Sequence, residues 1–177
     1  MFTVAILTLS DKGARGERED ETGRVVAEMV EALPGEVAFY EVLPDEQELL
    51  EEKLKSLADD EKVDLILTNG GTGLSPRDIT PEATARVIER HAPGIVHAMM
   101  QAGLEKTSTA MLSRATAGVR KRSLIINLPG SPKAARESLT AILPALAHGM
   151  DKIRGDEKEC APLVEELRRK RAQFGKT

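Results

Sequence analysis

Val63-Asp64-Leu65-Ile66-Leu67-Thr68-Asn69-Gly70-Gly71-Thr72-Gly73 changes character once, between Thr68 and Asn69, and the fold follows from that change. Residues 63–68 form a short, nearly continuous apolar run, the pattern of a strand buried on both faces. Asn69-Gly70-Gly71 ends the run abruptly with turn-forming residues. Three glycines in four positions let successive backbone N–H groups turn inward as a nest for an anion, and Thr72 adds a hydroxyl. A tight turn that merely closes the strand accounts for the same residues.

Downstream, Thr80 as N-cap and Pro81 at the first helical position predict a helix, broken at Ala92-Pro93-Gly94. Ile95, Val96, Met99 and Met100 predict another. Residues 105–122 read as a loop, a short element near Met111-Leu112 and a possible strand at Val119. Residues 123–128 form a further strand, and Ser131 and Pro132 open a long helix. Its buried stripe is Ala135, Leu139, Ile142, Leu143, Leu146 and Met150.

Upstream, residues 2–9 and 37–43 read as strands and residues 10–19 as a loop. Val25, Val26, Met29, Val30 and Leu33 mark one amphipathic helix, stopped by Pro34-Gly35. Leu49, Leu50, Leu54 and Leu57 mark a second. Alternating strands and helices predict a mostly parallel sheet covered on both faces, with a hairpin-like irregularity near residues 118–128. The α/β unit is set at residues 1–155, with residues 156–177 as a peripheral helix or tail.

Composition narrows the function. The 177 residues fit one domain, and with no Trp, one Tyr and three Phe the core must be aliphatic. A formal charge of −4 argues against a nucleic-acid binder. The lone Cys160 rules out an internal disulfide and fits a reducing, cytoplasmic setting. Three histidines and one cysteine show no zinc spacing, which leaves a carboxylate-built magnesium site open. Neither a signal peptide nor a membrane span is expected.

In an open α/β sheet, ligands bind beyond the carboxyl ends of the strands. Four loops leave such ends: Ser10-Asp11-Lys12-Gly13, Pro44-Asp45-Glu46, residues 69–78, and Pro129-Gly130-Ser131-Pro132-Lys133. The glycine loop is neither a P-loop nor a dinucleotide fingerprint: no Lys-Ser/Thr pair follows it, and Pro76 stands where a third glycine belongs. Asp11, Asp45 and Asp78 come from three separate loops. Converging carboxylates repel unless a cation lies among them, and Mg²⁺ favours one or two carboxylates plus phosphates and water. Each aspartate also serves as an ordinary turn or cap residue. Ser131 and Pro132 present free N–H groups at a helix start. Arg114, beside Ser113, could grip an anion or make a surface ion pair. Arg120-Lys121-Arg122 reads as a solvated turn. His91 and His148 fit helix ends, and His97 fits a helix interior.

Several of these motifs together resemble the molybdopterin adenylyltransferases, relatives of the G domain of gephyrin and its plant counterpart. They are Thr68-Asn69-Gly70-Gly71-Thr72-Gly73, Pro76-Arg77-Asp78-Ile79-Thr80-Pro81-Glu82-Ala83-Thr84, Pro44-Asp45-Glu46, Met111-Leu112-Ser113-Arg114 and Ile125-Ile126-Asn127-Leu128-Pro129-Gly130-Ser131. The resemblance spans about residues 2–153. It implies a three-layer α/β/α, molybdopterin-binding-like fold assembled as a homotrimer. It also implies Mg²⁺-dependent transfer of AMP from ATP to the terminal phosphate of molybdopterin, with a molybdate-inserting enzyme as downstream partner. On this resemblance Asp45 and Asp78 are metal-binding and catalytic, and Ser113 is catalytic. Gly70, Gly71, Thr72, Gly73, Ser10, Asp11, Asn127, Pro129, Gly130 and Ser131 bind ligand. Gly103, where several relatives carry serine, and residues 106–109 depart from the family pattern. Relatives with weak adenylylation commonly lack the Arg-Asp pair present here as Arg77-Asp78. A non-catalytic pterin carrier and a trimeric scaffold are the alternative functions on this fold.

Overall fold

The apolar run around Leu65 and Leu67 is fully buried near the middle of the sheet, as its composition requires. The computed structural model describes residues 1–155. The expectation of a peripheral helix at residues 156–177 lies outside them.

The chain runs β1 (Phe2–Leu9), α1 (Asp11–Ala14), α2 (Glu21–Val30), β2 (Gly35–Leu43), α3 (Gln47–Asp59), β3 (Leu65–Asn69), α4 (Thr80–Val87) and β4 (Arg90–His91). It continues through α5 (Pro93–Leu104), a 3-10 turn (Ser108–Leu112), β5 (Ala117–Arg120), β6 (Ser123–Leu128) and α6 (Pro132–Ile153). The sheet order is β2-β1-β3-β6-β5-β4. The first four of these strands are parallel, in registers that include Val4↔Leu65 and Leu65↔Leu124. The expected irregularity is the antiparallel β5–β6 hairpin, turned by Lys121 at φ 48°. Arg120 and Lys121 pair with Asp59 there, so the basic cluster braces a turn.

Alternate strand residues face opposite layers. Val4, Ile6, Leu65, Leu67, Leu124 and Ile126 pack under α2, α5 and α6. Ala5, Leu7, Ile66 and Ile125 pack under α3 and α4. This is the three-layer α/β/α arrangement. Each fully buried Leu or Ile contributes roughly 1.5–3 kcal/mol, so these two aliphatic layers hold the sheet. Of the stripe expected on α6, five residues are buried and Leu143 is partly so. No helix of the described residues is long and apolar enough to cross a membrane.

Several local expectations change. Residues 10–19 hold a one-turn helix, because Ser10 Oγ accepts from the Gly13 N–H at 3.1 Å. Strand β2 is an edge strand with much of its length exposed, so its apolar residues did not mark burial. Thr80 is not an N-cap: it lies inside the first turn of α4, fully buried, and its hydroxyl donates to Gly70 O at 2.9 Å. Helix α4 ends at Val87, and His91 sits in β4, where Arg90 pairs with Val119.

Candidate functional site

Strands β1, β3 and β6 lie side by side and parallel, so the loops after Leu9, Asn69 and Leu128 emerge together, with Asp45 following β2 beside them. The glycine loop is built from its carbonyls outward. Gly70 and Gly71 have φ of 93° and 62°, the left-handed region that glycine adopts without strain. Gly70 O accepts from Thr80 Oγ1, and Gly71 O from the Thr80 N–H at 3.1 Å. Thr72 O accepts from the Arg114 N–H at 2.9 Å, and Gly73 O from Arg114 Nε at 2.6 Å. Among the described residues, the N–H groups of Gly71, Thr72 and Gly73 have no protein acceptor. Carbonyls held back and amides left over give the loop the donors that an anion nest would use.

Arg114 therefore does not reach out to a ligand. Its guanidinium also donates to Asp78 O at 2.6 Å and pairs with Glu82, so it fastens the glycine loop to α4. The second loop touches the first: a Cβ on Gly130 would stand 3.1 Å from Gly70 Cα, and Gly130 O accepts from Thr22 Oγ1 at 2.8 Å.

The three aspartates do converge. Asp11 and Asp45 each accept the other's backbone N–H at 3.0 Å. Arg77 clamps Asp11 with contacts of 2.7, 2.8 and 3.1 Å. That guanidinium, with the Asp45 N–H, lowers the pKa of Asp11. Burial pushes Asp45 the other way, and the charges of Asp11 and Asp78 add to the rise. Asp45 Oδ1 would lie 3.2 Å from a Cβ on Gly71, and Asp78 Oδ2 2.9 Å from one on Gly73. Both carboxylates thus border the nest, and Asp78 Oδ2 is steadied by the Ser75 N–H at 2.8 Å. Among the described residues no three His, Cys, Asp or Glu side chains are grouped to enclose a metal. A cation held by Asp45 and Asp78 would complete its shell with phosphate oxygens and water, which suits Mg²⁺.

Some of the expected ligand residues line one of two clefts, while Asp11, Thr72 and Gly73 line neither. Ser10, Asp45, Gly70, Gly71, Asp78 and Gly130 line a polar cleft of about 240 Å³. Ser113 and Pro129 line a mostly apolar one of about 170 Å³, with Met99 and Gly103. The 129–130 dipeptide stands between them. Ser131 is spent as the N-cap of α6, accepting from the Ala134 N–H at 3.2 Å. Asn127 is fully buried, and its amide protons go to Thr68 Oγ1 (2.9 Å) and Thr84 Oγ1 (2.8 Å). Its Oδ1 accepts from the Thr116 N–H at 3.0 Å, so it braces β6, β3 and α4 and does not reach a ligand.

Sequence reasoning gave no ligand role to Thr8 or Asp20, nor to Asn69 within the loop it singled out, and all three line the polar cleft. Asp20 was legible only as a helix-capping residue three positions before Gly23, whose N–H it accepts at 2.8 Å.

The family model described as "Probable molybdopterin binding domain" matches residues 5–148. The molybdopterin adenylyltransferase of Helicobacter pylori strain J99 is 43% identical over 155 residues, covering 86% of this chain and 88% of the relative. Gephyrin of Dictyostelium discoideum is 39% identical over 91% of this chain, which matches 24% of that longer protein. Among solved structures, the molybdopterin biosynthesis enzyme MoaB of Thermus thermophilus superposes with a TM-score of 0.84 at 55% identity, covering 88% of this chain and 98% of that one.

Proposed function

The chain belongs to the molybdopterin-binding domain family of molybdenum cofactor biosynthesis, and from that membership we propose that it is a molybdopterin adenylyltransferase. In the proposed reaction a terminal phosphate oxygen of molybdopterin attacks the α-phosphorus of ATP. A new P–O bond forms, the bond from the α-phosphorus to the bridging oxygen breaks, and pyrophosphate leaves. No acid or nucleophile from the protein is consumed. The protein's work is to align two anions and to stabilise charge as it shifts.

The single observation that carries this reading is the nest. Free N–H groups on Gly71, Thr72 and Gly73 lie in a loop bordered by the Asp45 and Asp78 carboxylates, and Gly71 lines the polar cleft. A substrate phosphate entering that cleft would be held there. Ser113, in the apolar cleft, would orient the pterin substrate. Asp45 and Asp78 would hold Mg²⁺ against the phosphates, where the ion would neutralise their charge. Ser10 and Asp11 form the rim, with Arg77 on Asp11. Gephyrin's greater length fits a downstream, molybdate-inserting partner for the product. The functional unit is a homotrimer, so light scattering should return three times the 19.2 kDa chain mass.

The test is pyrophosphate release from ATP and Mg²⁺, with and without molybdopterin. Asp78→Ala should fold normally and lower turnover by about 10²–10³, the usual loss for one electrostatic contact. Wild-type turnover in that variant would remove Asp78 from the mechanism. Pterin binding without pyrophosphate release by the wild type would make the protein a carrier.

A further inference from the structure

Asp20, the residue before α2, joins four elements of the fold. Its Oδ1 accepts from the Gly23 N–H at 2.8 Å, which caps α2. Its Oδ2 accepts from Thr8 Oγ1 at 2.5 Å and from the Tyr40 hydroxyl at 2.6 Å. Thr8 Oγ1 in turn accepts from Asn69 Nδ2 at 2.9 Å. Tyr40 lies on β2, Thr8 on β1 and Asn69 at the end of β3. The oxygens of this relay crowd over Gly23, where a Cβ would strike Asp20, Tyr40 and Thr8. Glycine is a poor helix former, and here its bare Cα makes the room.

The direction of every bond follows from the groups involved. A carboxylate only accepts, and Thr8 has one hydroxyl proton. That proton goes to Asp20, so Thr8 offers Asn69 a lone pair and receives from its amide. Turning the amide over would set two acceptors face to face. Asn69 is 1% exposed, and its Oδ1 has no hydrogen-bond partner. Among the described residues the bond to Thr8 is therefore the one side-chain hydrogen bond that orients Asn69.

The chain leaves the sheet at Asn69, and the next two residues, Gly70 and Gly71, take φ of 93° and 62°. Farther along, Thr80 and Arg114 hold the loop by its carbonyls. At the near end, the relay fixes the residue from which the loop departs. Asp20 lines the polar cleft, but both its oxygens are taken by protein donors. It acts through Thr8 and not on a ligand. We propose that Asp20 is a positioning residue for the proposed transfer, which through Thr8 and Asn69 sets the direction of the N–H groups of Gly71, Thr72 and Gly73. The inference rests on the reading of that loop as the site that holds a substrate phosphate.

Asp20→Asn and Thr8→Val, made in the full chain, test it. Asparagine caps a helix as well as aspartate does, so α2 keeps its start. Its amide would meet the Thr8 hydroxyl with protons in place of a charge, and the bond to Asn69 would no longer be enforced. Valine keeps the shape of threonine without the hydroxyl. Variants that melt near the wild type are read in two ways: the backbone amide resonances of Gly71, Thr72 and Gly73 by NMR, and pyrophosphate release with ATP, magnesium chloride and molybdopterin. Each variant should displace the three resonances and lower kcat by about tenfold or more, because misaligned groups lose rate steeply. The double variant should be no slower than the slower single one, since residues that act as a unit are not additive. Thr8→Ser, which keeps the hydroxyl, should keep both readings at wild-type values. A role confined to stability would lower the melting temperature and leave the three resonances of the folded variants in place; that result overturns the inference alone. Wild-type kcat in a variant whose resonances have moved also overturns it. A wild type that releases no pyrophosphate removes the proposed function and the positioning role together. Asp20→Asn keeps the question decidable if Thr8→Val does not fold.

Discussion

At Gly71 the backbone has φ 62°, and a Cβ built there would collide with Thr80 Oγ1 and lie 3.2 Å from Asp45 Oδ1. Gly71→Ala must therefore strain the backbone and push on the hydroxyl that holds Gly70 O. Such a change costs roughly 1–3 kcal/mol. Thermal unfolding should show the loss, and ATP affinity should fall with it; unchanged values for both would mean that the loop adapts freely. Asp45 supplies a second test at this scale. Burial and two neighbouring carboxylates raise its pKa, while Arg77 opposes the rise. Only ionised Asp45 can hold a cation, so activity should fail on the acid side at a pH above the ordinary aspartate range. Arg77→Met removes the opposing charge and should move that acid limb further up in pH. An unmoved limb in a kcat/KM profile would separate Asp45 ionisation from the chemistry.

Between elements, one arginine does most of the positioning. Arg114 leaves the 3-10 turn and ties Gly73 O and Asp78 O to Glu82 on α4. The geometry uses a planar fork, which lysine cannot reproduce. Both Arg114→Ala and Arg114→Lys should lower stability by about 1–3 kcal/mol, read by urea titration, and weaken ATP binding in parallel. Full rescue by lysine would show that charge alone matters. The sequence set Ser113-Arg114 as a polar pair just after a short element near Met111-Leu112 and left the arginine's partner open. Its acceptors are carbonyls 36 and 41 residues away, and no local pattern encodes them. Thr80 shows the same limit: its sequence position fits an N-cap, but the neighbouring Gly70 carbonyl takes its hydroxyl.

Across the whole molecule, the end of α6 is fastened to the start of β1. Asp64, buried before β3, accepts from Arg154 at 2.6 and 2.8 Å and from the Thr3 N–H at 2.8 Å, and Arg154 lies 4.5 Å over the Phe2 ring. Burial alone would raise the pKa of Asp64, but the bonds from Arg154 and Thr3 outweigh it and lower the value. A lowered folded-state pKa gives stability that is fully present above the unfolded value. It is lost as pH falls through the lower folded value. Arg154→Ala should cost about 1–3 kcal/mol at neutral pH and flatten the acid side of the stability curve between those limits. An unchanged acid side in pH-dependent melting would show that Arg154 does not set the Asp64 ionisation.

The sequence by itself determined the α/β class, the central strand over residues 65–68, the hairpin near residues 118–128 and the loops that gather at the strand ends. Each of these is written in local periodicity, in glycine and proline punctuation, or in a contiguous motif. Only the tertiary structure decided that Asn127 braces strands, that Arg114 holds carbonyls, that Arg77 sits on Asp11, and that Asn69 keeps a buried, unpaired side-chain oxygen. Which atoms satisfy a polar side chain depends on neighbours tens of residues away. That pairing exists only once the layers have packed, so a one-dimensional pattern does not carry it.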